Sequence, residues 1–157
     1  MDREETEKYF YVNKDSNLKG GPNISAAAYL VGDLNTGEVI LAKNQDEKFP
    51  LASVSKLMTA LVTKEISKED ALAEVSKGAL ETPGKNGGLR IGEKIKILDL
   101  LYPLLLESSN DAAEIIAGHF ERDTFLKKMN QEAENLKMSL TTYEDPSGLS
   151  PNNQSTV

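Results

Sequence analysis

Two short stretches hold side chains spaced for covalent chemistry. In FPLASVSKLMTALVTKEI, Phe49 to Ile66, Ser53 precedes Lys56 by three residues where a polar loop meets an apolar helical pattern. On a helix that spacing puts both side chains over one face. The unpaired N–H groups of a helix start favour developing negative charge on the serine oxygen. A neutral lysine could take the serine proton if desolvation or another cation lowers its pKa. The same residues also make an ordinary helix start, because serine is a favoured N-cap and lysine a good helix former. Ser16 and Lys19 repeat the step inside NKDSNLKGG, a polar stretch with nothing to bury. The second stretch is LLLESSNDAAEIIAGHF. Ser108 and Asn110 place a hydroxyl and a carboxamide at the break between two apolar runs. The hydroxyl could relay a proton, and the carboxamide could bond a peptide carbonyl and the lysine. The plainer alternative is that Ser and Asn cap the following helix, with Asp111 favourable near its start.

Composition narrows the remaining chemistry. The 157 residues contain no cysteine and a single histidine, His119. Disulfides, thiolate catalysis and Cys-type zinc sites are therefore excluded. A His-based metal site is disfavoured, and so is a Ser-His-Asp triad unless His119 is its base; no metal and no cofactor is expected. His119 follows the apolar helical pattern of EIIAGHF and reads as a structural or partly exposed helix residue. The net charge of −7, with no basic patch or stripe, argues against nucleic acid as a partner. Glu65, Glu69 and Asp70 read as a solvated face. Glu107, beside the Ser-x-Asn step, is given no role. The start MDREETEKYF lacks the apolar core of a signal peptide, and ILDLLYPLLL is too short to span a bilayer.

The elements that must position these residues follow from pattern. Residues 1–22 read as a flexible N-terminal segment in which the aromatics Tyr9, Phe10 and Tyr11 are unassigned. Strands are expected at 26–33 and 38–43, joined by the Asn35-Thr36-Gly37 turn. A helix is expected over 53–67, with Val54, Leu57, Met58, Leu61, Val62 and Ile66 as its core face. A short helical piece is expected at 68–73, and ETPGKNGGLRIGEK reads as loop. Helices follow at 97–107, kinked by Pro103, at 110–120 and at 122–137. A short strand is expected at 139–143, then the turn DPSG and a polar tail without a closing element. Two neighbouring strands and one short one make a poor sheet for so many apolar helix positions, so 23–157 reads as part of a larger domain.

The two chemical stretches together, in this order, are the arrangement of β-lactamases and penicillin-binding proteins. The sequence resembles the serine-type D-alanyl-D-alanine carboxypeptidases, the low-molecular-mass penicillin-binding proteins. The resemblance runs through DLNTGEVILAKNQDEKFPLASVSKLMTALV, LLYPLLLESSNDAAEIIAGHF, FLKKMNQEAENLKM and TTYEDPSGLSPNNQST, in the family's order. It implies an α+β domain of the penicillin-binding protein and serine β-lactamase type, a mostly antiparallel sheet with helices. Ser53 would be the nucleophile, Lys56 its base, Ser108 the proton relay to the leaving amine, and Asn110 a holder of substrate and Lys56. The substrate would be a peptidoglycan stem peptide ending in D-Ala-D-Ala. β-Lactam antibiotics would acylate the same serine, and the compartment would be extracytoplasmic.

Two departures qualify the resemblance. The family's Lys-Thr-Gly strand is absent from this sequence. With it would go one oxyanion-hole donor, worth about 3 kcal/mol, and the cation that recognises the substrate carboxylate. The isolated chain is therefore expected to be weak or inactive unless a second chain or a C-terminal half completes the domain. The alternatives are a non-catalytic family member and, against the DPSGLS motif, a β-lactamase. Lys137 stands where the family usually has glycine, at an expected left-handed helix end.

Overall fold

The computed structural model describes Tyr11–Val12 and residues 24–157. Ser16, Lys19, Tyr9 and Phe10 lie outside the described residues. The chain forms two compact units, one running to Glu47 and including Thr156–Val157, the other spanning Lys48–Ser155.

The first unit is a three-stranded sheet in the order β1-β3-β2. Strands β2 (Tyr29–Gly32) and β3 (Glu38–Lys43) pair antiparallel, Leu30 opposite Ala42, with a bulge at Val31/Gly32. Strand β1 (Tyr11–Val12) adds in parallel to β3. The β2–β3 turn is held by Asp33, whose carboxylate accepts from the backbone N–H groups of Asn35 at 2.7 Å and Thr36 at 2.9 Å. Gly37 supplies the positive φ, 78°, that the turn demands.

The second unit carries the helices and two short antiparallel ladders. Strand β4 (Phe49–Pro50) pairs with β7 (Gln154–Ser155), and β5 (Leu72–Glu74) pairs with β6 (Lys94–Lys96). Its helices are α1 (Ser55–Ile66), α2 (Lys77–Leu80), α3 (Leu101–Leu106), α4 (Asn110–His119) and α5 (Arg122–Asn135). The whole is mixed α+β, with mostly antiparallel pairing. Its core joins Met58 and Val62 of α1 to Ile97, Leu100 and Leu104 around α3, Ile116 of α4, and Phe125 and Met129 of α5. No described helix is long and apolar enough to cross a membrane.

Several expected elements are corrected. The helical piece at 68–73 is not formed. Leu72–Glu74 is strand β5, because pairing with Lys94–Lys96 buries Ala73 and overrides the helix propensity of Ala, Leu and Glu. Strand β6 takes the end of the expected loop. The helix expected at 97–107 begins only at Leu101, so Pro103 falls in its first turn, where no intrahelical N–H bond is lost, and it does not kink the helix. The strand expected at 139–143 reduces to one bridge, Thr142 to Gln154, and the polar tail does hold a closing strand, β7. Lys137 has the left-handed conformation expected of the glycine position, at φ 62°. His119 is exposed, edge-on to Phe120.

The apolar stripe of α1 divides. Met58 and Val62 are buried, whereas Val54, Leu57 and Leu61 are exposed. The buried face instead includes Ser55, Lys56, Thr59 and Thr63, each with a hydrogen-bond partner. A periodicity argument built on apolar residues passes over a helix face whose buried residues are polar and paired.

Candidate active site

Ser53 lies in a 3-10 turn, Ala52–Val54, that leads directly into α1. It is exposed and does not cap the helix, whose N-cap Val54 has no capping side chain. Ala52 enters the turn with φ 45°, a conformation a β-carbon disfavours. Gly148 packs against that backbone so closely that a β-carbon on it would stand 1.7 Å from the Ala52 carbonyl oxygen. Only glycine fits there.

Lys56 lies under the turn, 2% exposed. Its ammonium donates to Ser53 Oγ at 3.0 Å and to the Ser147 carbonyl at 2.7 Å. Burial depresses its pKa below the ordinary lysine range; the nearby Asp145 carboxylate pushes the other way and only partly offsets this. A lysine so placed hydrogen-bonds a surface hydroxyl and is biased toward the neutral amine that can accept its proton.

The Ser147 carbonyl belongs to a turn built around one buried carboxylate. Asp145 Oδ1 accepts from the backbone N–H of Ser147 at 2.7 Å, Gly148 at 2.6 Å and Leu149 at 3.2 Å, and from Ser147 Oγ at 2.8 Å. Its Oδ2 accepts from Ser150 N–H at 2.5 Å. Burial alone would raise this carboxyl's pKa, but the Ser150, Ser147 and Gly148 donors outweigh it and hold the group below the usual carboxylate range. The turn is tied to α1 a second time, through Thr59 Oγ1 donating to the Pro146 carbonyl at 2.6 Å.

The second stretch lies at the α3–α4 joint. Ser108 is partly buried, has φ 58°, and its hydroxyl makes no hydrogen bond to another described residue. The capping alternative is realised by its neighbour, since Ser109 Oγ accepts from Ala112 N–H at 3.0 Å and donates to Asp111. Asn110 Nδ2 donates to the Pro83 carbonyl at 2.7 Å, and its backbone N–H to the Lys85 carbonyl at 2.8 Å. Asp111 is buried and accepts from Gly87 N–H at 2.9 Å. Asn110 and Asp111 thus clamp the Gly-rich 83–87 loop to the start of α4. The structure joins Ser53 to Lys56 directly; Ser108 and Asn110 share no hydrogen bond with either. Among the described residues no group of His, Cys, Asp or Glu is placed to hold a metal ion.

Sequence reasoning found the Ser–Lys pair and missed what holds it. The Ser147 acceptor is a backbone carbonyl, which no residue type announces. Asp145 was legible only as a turn residue, although an aspartate ahead of a Ser-Gly step is the pattern of a carboxylate that accepts from successive backbone N–H groups.

Residues 15–157 match the D-alanyl-D-alanine carboxypeptidase family, peptidase family S11, and the chain belongs to it. It is 35% identical over 138 residues to the D-alanyl-D-alanine endopeptidase of Pseudomonas aeruginosa, covering 85% of this chain and 44% of that protein. It is 31% identical to the D-alanyl-D-alanine carboxypeptidase DacC of Escherichia coli, covering 82% of this chain and 35% of that one. Among solved structures it resembles a D-alanyl-D-alanine carboxypeptidase from Mycobacterium tuberculosis, with TM-score 0.83 and 28% identity over 90% of this chain and 55% of that one. A Streptomyces K15 DD-transpeptidase matches with TM-score 0.77 and 29% identity, covering 87% of this chain and 58% of that one. The chain thus spans less than two thirds of each of these relatives.

Proposed function

We propose that this chain carries the acylating centre of a serine-type D-alanyl-D-alanine carboxypeptidase. The observation that carries the reading is the 3.0 Å hydrogen bond between an exposed serine hydroxyl and a buried lysine whose pKa burial depresses. Neutral Lys56 takes the proton of Ser53 Oγ as that oxygen attacks the carbonyl carbon of the penultimate D-Ala. The peptide C–N bond breaks, the amine of the terminal D-Ala leaves with a proton delivered through Ser108, and water then hydrolyses the acyl-enzyme. Asn110 holds the substrate beside the pair. The substrate is a peptidoglycan stem peptide, found outside the cytoplasmic membrane, and a β-lactam acylates Ser53 in the same way. A second chain or further residues would supply the Lys-Thr-Gly element that this sequence does not contain.

The name of the Pseudomonas aeruginosa relative supports a second reading, in which the cleaved bond lies between two peptides rather than at a carboxyl terminus. Release of free D-Ala from a pentapeptide against cleavage of a cross-linked dimer separates the two. The shared acylation step is tested by intact mass after incubation with a penicillin. One adduct per chain, absent from Ser53→Ala, supports the centre. No adduct on the folded chain means that the motif survives here only as ancestry and that acylation requires residues this sequence lacks; no adduct after the Lys-Thr-Gly element is supplied refutes the centre.

A further inference from the structure

Asn153 is fully buried and every hydrogen-bonding position of its carboxamide is used. Nδ2 donates to the Asp145 carbonyl at 2.8 Å and to Ser55 Oγ at 2.9 Å. Oδ1 accepts from the backbone N–H of Glu144 at 2.8 Å and of Asp145 at 3.1 Å. The amide can face only one way, because a carbonyl can only accept and an N–H can only donate. Its own backbone carbonyl accepts from Leu51 N–H at 2.7 Å.

These partners are not scattered. Leu51 and Ser55 flank Ser53 by two residues on either side, so the strained Ala52–Val54 turn is strung between two anchors on Asn153. Asp145 opens the turn whose Ser147 carbonyl receives Lys56, and Asn153 holds both the N–H and the C=O of that residue. The nucleophile's segment and the lysine's acceptor therefore meet at one carboxamide. Alanine lacks all four contacts, and aspartate would replace two donors by a charge beside Asp145.

We propose that Asn153 is a positioning residue of the Ser53–Lys56 pair, setting its geometry through Ser55 and Leu51 on one side and the Asp145 turn on the other. This rests on the acylating role of Ser53. Loss of the carboxamide frees the two halves to separate, and a displacement of an ångström at a reacting pair costs about 100-fold in rate.

The test compares Asn153→Ala and Ser55→Ala with Asn130→Ala. Asn130 forms a similar but half-buried clamp, donating to the Tyr143 carbonyl at 2.8 Å and accepting from Tyr143 N–H at 2.9 Å, and it makes no hydrogen bond at the pair. Two readouts are taken on variants shown to be folded. One is the NMR titration midpoint of the Lys56 ε-carbon. The other is the penicillin acylation rate, separated from the affinity of the initial complex. Asn153→Ala and Ser55→Ala should raise the Lys56 midpoint toward the ordinary lysine range, as water reaches the amine, and slow acylation about 10- to 100-fold at unchanged affinity. Asn130→Ala should lose comparable stability and move neither. If Asn153→Ala does not fold, Ser55→Ala decides. Unmoved readouts in the folded variants, or equal movement in Asn130→Ala, overturn the proposal. A parent chain that penicillin does not acylate fails the acylating role for this chain alone, not the positioning, which the Lys56 midpoint still decides.

Discussion

At Lys56 the energetics of a single side chain set the chemistry. An ammonium at 2% exposure loses hydration, and this desolvation lowers its pKa, with Asp145 pushing the other way. The acylation rate with penicillin should therefore rise with pH and level off below the ordinary lysine range; a plateau reached only at the ordinary lysine value would sink the assignment of Lys56 as base. Gly148 makes an equally local prediction. At its φ of 88° a β-carbon would stand 1.7 Å from the Ala52 carbonyl oxygen, which leaves no room for a methyl group. The conformational cost of alanine alone is about 1–3 kcal/mol, and the displaced turn carries the Ser147 acceptor with it. Gly148→Ala should lower the unfolding midpoint and abolish or slow adduct formation; wild-type rates in that variant would show that the turn does not hold the pair. Ser53 and Lys56 were legible in sequence because their relation is a three-residue spacing across the turn that opens α1. Asn153 was not, because its role depends on four partners, three of them backbone groups, brought together only by the fold.

Among elements, those with an uninterrupted pattern were legible and those made by tertiary pairing were not. Helices α4 and α5 run close to their expected spans because apolar periodicity and flanking polar residues agree. Strands β5, β6 and β7 are two or three residues long, too short for alternation to register. Each exists because a partner strand satisfies its backbone. The end of α5 shows sequence and structure in local conflict. Lys137 has φ 62° where glycine is the unstrained choice, and a β-carbon there costs about 1 kcal/mol. Lys137→Gly should raise stability by up to that amount in denaturant unfolding without changing acylation. A loss of stability would mean that the lysine side chain is worth more than the strain it imposes.

For the whole molecule, the core cluster and the Ser53–Lys56 pair belong to the Lys48–Ser155 unit, so site geometry and the folding of that unit are one equilibrium. Two of its buried ionisable groups link that equilibrium to pH in the same sense. Asp145 has a depressed pKa in the folded chain, so its contribution is fully present above the unfolded carboxylate value and is lost as pH falls through the folded one. Lys56 is also depressed, so between its folded value and the ordinary lysine value the unfolded chain binds more protons and stability rises with pH. Denaturant unfolding across pH should thus show an acid loss that is smaller in Asp145→Asn, which starts less stable because an amide sets its NH2 against either the Ser150 N–H or the Ser147, Gly148 and Leu149 N–H groups. It should also show an alkaline gain that Lys56→Met removes. An acid limb unchanged in Asp145→Asn would place the linkage in other carboxylates and deny the Asp145 turn its part in holding the fold around the pair.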